Sequence, residues 1–157
     1  KGWAAARALG PLRAAGVAGA MVNAGGDIAL LGEPTPGSPW RIGIRHPDDP
    51  HRLVRVISTR SAVATSGTYE RGEHLVDPRS GQSASPVAAA TVVGPDLGWA
   101  DGLATGLVVA GRPGLDAIEQ LDGYSAMLVG RDGGVTVTGG FPPDVGEAPA
   151  GRTSGDG

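Results

Sequence analysis

LGWADGLATGLVVA, from Leu97 to Ala110, reads as an apolar helix rich in alanine and glycine, and the rest of the sequence is organised around it. Asp101 and Thr105 stand four residues apart in this stretch and therefore share one helical face. A carboxylate and a hydroxyl on an apolar helix need partners. One such partner is a hard cation such as Mg²⁺, which takes oxygen ligands and keeps some of its waters. The alternative is a threonine back-bonded to its own helix and an aspartate acting as an N-terminal helix charge, and spacing alone favours this second reading.

Working outward, Val87–Val93 reads as a strand before this helix, and Leu115–Leu121 as a second helix after a break at Gly111-Arg112-Pro113-Gly114. Ala126–Val129 and Val135–Thr138 form a hairpin around Arg131-Asp132-Gly133-Gly134, a good tight-turn sequence. Towards the N-terminus, residues 2–15 are alanine-rich and helical in character, with Pro11 expected to kink or divide the segment and Gly16 to stop it. Ala18–Val22 and Ile28–Leu31 read as short buried strands, and residues 32–39 as a loop. Trp40–Arg45 and Leu53–Ser58 alternate apolar and polar side chains, which predicts a half-buried hairpin. Residues 61–86 are the least regular and are expected to be loops, where functional residues concentrate. Strands and helices mix without a regular βαβ rhythm, so the expected class is α+β, with a mixed or antiparallel sheet and packed helices. Residues 1–141 are expected to form one domain and 142–157, polar and rich in Pro and Gly, a disordered tail.

Composition narrows the function classes. The 157 residues suffice for one domain with a real core. Glycine (28 residues) and proline (13) are abundant, and only one phenylalanine is present, so the core must be built from small residues at close backbone approach. The net charge is −3 with no basic stripe, which argues against nucleic acid as a partner. The absence of cysteine removes thiolate catalysis, disulfides and cysteine-based metal centres. No apolar run is long enough to span a membrane as a helix, and no signal peptide is visible. The chain opens at Lys1 inside a helical pattern, which suggests a piece of a longer protein, with localisation left unknown.

Three segments carry candidate chemistry. In Asn23-Ala24-Gly25-Gly26-Asp27, paired glycines after a strand let backbone N–H groups approach a phosphate or an adenine, although a plain tight turn needs the same residues. Thr65-Ser66-Gly67 offers a serine, but no nucleophile-elbow motif surrounds it, and a turn of small residues is the better reading. His74-Leu75-Val76-Asp77-Pro78-Arg79-Ser80-Gly81 offers a loop histidine with the right ordinary pKa for a general base, or one with no task. His46 and His51 sit in a charged hairpin loop and look like surface residues.

The order and wording of these segments are more specific than any one of them. The succession KGW, NAGGDI, PWRIGI, AVATSGTYER, HLVDPRSG, TVVGP, ADGLATGLVVAG and GGF closely resembles the FAD:protein FMN transferases of the ApbE family, from Lys1 to about Phe141. The resemblance implies a T-fold-like flavin transferase domain, of which this chain is the C-terminal portion. It implies Mg²⁺-dependent transfer of FMN from FAD, the substrate, to a Thr or Ser hydroxyl of an acceptor protein, with release of AMP. Acceptors in the family are subunits of electron-transfer complexes or related flavin-bearing domains, and members are often exported or membrane-anchored. By position, Asp101 and Thr105 match the family's metal-binding pair, and His74 its proposed catalytic base. Lys1, Asn23, Gly25, Gly26, Asp27, Ser66, Gly67, Tyr69 and Leu75 match segments that shape the flavin-nucleotide cleft.

This sequence also departs from the family's pattern. The family's first half, which contributes to the flavin site, and a backbone carbonyl ligand just before the Lys-Gly pair lie outside it. Ala6 stands where an aspartate is common, and Thr68 interrupts a common Gly-Asp-Tyr. Gly102 and Gly106 each weaken the metal-bearing helix by about 1 kcal/mol relative to alanine. A non-catalytic flavin- or nucleotide-binding protein, and an FAD pyrophosphatase yielding FMN and AMP, are the alternatives the residues leave open.

Overall fold

The computed structural model describes residues 1–67, 81 and 87–146. The first helix, α1 (Gly2–Ala14), turns Gly2, Ala5 and Leu9 inward at the spacing of one helical face. Pro11 does not divide it, and the helix runs on to Ala14. The proline costs the bond to the Arg7 carbonyl, but Arg7 lies on the exposed side, where water can replace the missing donor. Gly10, just before it, has no Cβ to clash with the proline ring. The helix stops where expected. Gly16 adopts φ 77°, its N–H donates to the Arg13 carbonyl, and that of Val17 reaches back to Leu12, a glycine-terminated Schellman end.

Strands β1 (Gly19–Ala24) and β2 (Asp27–Gly32) pair around Gly25 and Gly26, whose φ values of 59° and 91° give the two-residue turn that suits a twisted hairpin. Strands β3 (Trp40–His46) and β4 (Asp49–Thr59) form the second hairpin, longer than the alternation alone suggested. The expected loop at 61–86 is corrected at its start, where Ala62–Gly67 is strand β5. Its small side chains are covered on both faces, so no polar alternation announces it. Strand β6 (Val87–Gly94) is buried throughout. Helix α2 (Leu97–Ala110) follows, then α3 (Pro113–Glu119), which begins earlier than expected because proline suits the first helical turn. Strands β7 (Ser125–Gly130) and β8 (Val135–Val137) close the fold.

Six strands form one sheet in the order β1-β2-β5-β6-β7-β8, with every pairing antiparallel. Alternation along these strands divides two cores. Ala29, Ala62, Ala64, Ala90, Val92 and Leu128 face the helices, with Leu97, Ala100, Ala104, Leu107 and Val108 of α2. Ile28, Val63, Ala89, Val93 and Met127 face the β3–β4 hairpin, with Ile42, Ile44 and Ile57. The result is three layers, helices on the sheet and the sheet on a hairpin, in the expected α+β class. Full burial of Leu107 and Val108 contributes about 1.5–3 kcal/mol each. Residues 142–146, assigned by composition to the tail, dock on β4. Val145 donates to the Val56 carbonyl, and the Asp144 carboxylate accepts the Val56 N–H. Among the described residues, no helix is long and apolar enough to cross a membrane.

Candidate functional site

Helix α2 lies on the sheet through Ala100, Ala104, Leu107 and Val108. Asp101 and Thr105 each follow one of the buried alanines and stand half-buried at the border of that stripe. Asp96, not Asp101, caps the helix, accepting the Trp99 N–H at 2.8 Å. The Thr105 hydroxyl reaches across to β5, where Ser66 Oγ lies 2.9 Å away. Neither residue therefore plays the local helical role that spacing alone favoured.

The start of α1 crosses α2 beside Asp101. The Gly2 N–H donates to Asp101 Oδ2 at 2.7 Å. The approach is close enough that a Cβ on Gly2 would lie 2.5 Å from the Leu97 carbonyl oxygen and 2.8 Å from Asp101 Cβ. Burial pushes the Asp101 carboxyl up, but the Gly2 N–H and the Lys1 charge outweigh it and hold the group below the usual carboxylate value. The Lys1 ammonium itself is paired with Asp27 Oδ2 at 2.5 Å. Asp27, the first residue of β2, is fully buried, and its Oδ1 has no hydrogen-bond partner among the described residues. Burial raises its pKa despite Lys1, and the neighbouring Asp101 charge adds to the rise.

Five of the residues singled out in the sequence thus come together: Lys1, Asp27, Ser66, Asp101 and Thr105. Asn23, Gly25 and Gly26 do not join them. The Asn23 side chain accepts the Gly26 N–H, and these three line a cavity of about 430 Å³ with Ile42, Arg45 and Thr65, on the hairpin side of the sheet. Gly67 pairs with Ala89 at the end of β5. His74, Tyr69 and Leu75 lie outside the described residues. A larger groove of about 950 Å³, lined by Arg7, Arg13 and Arg60 along α1, contains none of the candidate residues. The part of Gly2 was not legible in sequence, because a backbone donor leaves no side-chain signal.

Among the described residues, no group of three or more His, Cys, Asp or Glu is placed to hold a metal ion. The donor set is one ionised carboxylate and one hydroxyl, with the orphaned oxygen of a second carboxylate buried close by. The described residues alone are too few for a calcium cage or a structural zinc. The set fits Mg²⁺, which binds through one or two carboxylates and leaves its remaining positions to water and substrate phosphates.

The fold is similar to that of solved flavin transferases. The ApbE family model matches residues 1–128, and the chain belongs to the ApbE family. The FAD:protein FMN transferase of Vibrio cholerae is 36% identical over 140 residues, covering 82% of this chain and 42% of its own length. That of Rhodobacter capsulatus is 34% identical over 168 aligned positions, covering 92% and 32%. Among solved structures, the flavin transferase ApbE of Vibrio cholerae is similar with a TM-score of 0.72 at 33% identity, over 88% of this chain and 47% of that one. The ApbE protein of Thermotoga maritima gives 0.71 at 29% identity, over 86% and 49%. The chain spans less than half the length of these relatives.

Proposed function

We propose that this chain is the cation-holding portion of a protein FMN transferase, which moves FMN from FAD to a Thr or Ser hydroxyl of an acceptor protein and releases AMP. The observation that carries the reading is the convergence of Asp101 and Thr105 with the Lys1–Asp27 pair at the crossing of α1 and α2. Asp101 and Thr105 would hold Mg²⁺. A cation held there would supply positive charge against the charge that builds on the FAD pyrophosphate during phosphoryl transfer. Asp101 must be ionised to serve, and the Gly2 N–H and Lys1 keep it so.

In the transfer, the acceptor hydroxyl oxygen forms a bond to the FMN phosphorus. The bond from that phosphorus to the bridging oxygen breaks, and AMP leaves with the electron pair. The hydroxyl proton passes to a base, a role the H-x-x-D-P-R-S-G motif assigns to His74. Asn23, Gly25, Gly26, Ser66, Gly67, Tyr69 and Leu75 belong to the segments that would border the flavin nucleotide. Incubation with FAD, Mg²⁺ and a threonine-bearing acceptor, read by mass spectrometry, tests the proposal. An FMN adduct on the acceptor is the expected result. Free FMN with AMP and no adduct would establish hydrolysis instead, and intact bound FAD a binding protein.

A further inference from the structure

We propose that Ser66 is a positioning residue for Thr105, fixing the direction in which the Thr105 hydroxyl presents its lone pair to a bound divalent cation. The inference rests on the cation reading of Asp101 and Thr105. Ser66 Oγ and Thr105 Oγ1 are 2.9 Å apart, and in that pair either oxygen can donate. A hydroxyl that ligates a cation gives it an oxygen lone pair, so its O–H has to point elsewhere. Ser66 is the hydrogen-bond partner of the Thr105 hydroxyl among the described residues, so the proposed assignment has Thr105 donating and Ser66 accepting, which leaves both Thr105 lone pairs free for a cation.

Strand register delivers Ser66 to this place. Ala62 and Ala64 lie on the helix side of β5, and Ser66 continues that alternation towards α2. Thr65, its neighbour, points to the other face, where its hydroxyl bonds Thr91 Oγ1 at 3.0 Å. Of two consecutive hydroxyls, only Ser66 faces Thr105, and a one-residue slip of β5 would exchange them. Pairing with β6 from Ala62 to Gly67, Ser66 opposite Ala90, opposes such a slip. Each half of the donor pair is therefore held from a different element, Asp101 by α1 through Gly2 and Thr105 by β5 through Ser66. Ser66 acts on Thr105 here, a task separate from any contact with flavin.

Mn²⁺ binding to the whole chain, read from the EPR signal of the free ion, tests the proposal without any turnover. Ser66→Ala is expected to weaken Mn²⁺ binding by about 10–100-fold, the usual cost of losing a group that orients a metal ligand. Ser66→Cys, with a poorer acceptor, should lose affinity in the same direction, and Ser66→Thr should retain most of it. In a Thr105→Val background, Ser66→Ala should cost nothing further. Wild-type affinity in Ser66→Ala and Ser66→Cys, with Thr105→Val weakened, overturns the positioning role and leaves the cation reading standing. An equal loss from Ser66→Ala in both backgrounds overturns it as well. A wild-type chain that takes up no Mn²⁺, or unchanged affinity in both Asp101→Asn and Thr105→Val, overturns the cation reading itself.

Discussion

The backbone N–H of Gly2 donates to Asp101 Oδ2 at 2.7 Å, joining the starts of two helices 99 residues apart in sequence. The bond fixes one carboxylate oxygen and requires the two backbones to come close. Gly2→Ala would drive a methyl group into the Leu97 carbonyl oxygen and Asp101 Cβ. The expected cost is about 1–3 kcal/mol in thermal or urea unfolding, with weaker divalent-cation binding. Unchanged stability and affinity would show that the crossing relaxes freely.

Gly102 and Gly106 behave oppositely. Both lie on the exposed side of α2, and a Cβ at either position meets nothing within 4 Å among the described residues. Replacing either by alanine should stabilise the chain by about 0.4–1 kcal/mol, chiefly by restricting the unfolded state. The check is a rise in the urea midpoint at constant denaturant dependence.

Asp27 gives stability a pH dependence with a definite sign. Its folded-state pKa is raised above the ordinary 3.8 by burial, against the pull of Lys1. Below 3.8 the folded and unfolded states both hold the proton, and the group costs nothing. As pH rises from 3.8 through the raised value, the unfolded chain releases this proton while the folded chain keeps it, so stability falls, and it levels off once both states are ionised. Asp27→Asn cannot ionise and should gain on the wild type across that window, in unfolding free energies from urea titrations. Asp101 runs the other way. Its folded pKa is lowered, so its contribution is present above 3.8 and lost as pH falls through the folded value, in both chains. Parallel profiles for wild type and variant would remove Asp27 from the response.

The cation reading makes a direct prediction for catalysis. Chelation should abolish FMN transfer and added Mg²⁺ should restore it. Asp101→Asn and Thr105→Val should each reduce both transfer and Mn²⁺ affinity. Loss of transfer at unchanged affinity would move these residues away from the metal.

His74→Ala separates proton transfer from binding. Removal of a general base should slow transfer about 10²–10⁴-fold while leaving Mn²⁺ affinity intact. A near-normal rate in the full assembly would exclude His74 as the base.

Sequence by itself determined much of this protein. The 3.6-residue spacing of Ala100, Ala104, Leu107 and Val108 specified α2 and set Asp101 and Thr105 four residues apart on it, because helical geometry is local. Turn chemistry did the same for Gly16, Gly25 and Gly26, whose positive φ values only glycine adopts without strain. Pattern could not reveal β5, since small residues covered on both faces carry no alternation. Nor could it show that the helix continues through Pro11, because that depends on whether the lost hydrogen bond faces water. Only the tertiary structure decided which groups meet. Asp27 and Lys1, Gly2 and Asp101, Ser66 and Thr105 are distant in sequence, and the antiparallel sheet with its crossing helices brings them together. Long-range register decides such meetings, and no local preference encodes it. The same register separates Asn23 from Asp27 within one motif: Asn23 lies opposite Ile28, which faces the β3–β4 hairpin, and Asp27, one residue earlier on β2, faces the other side.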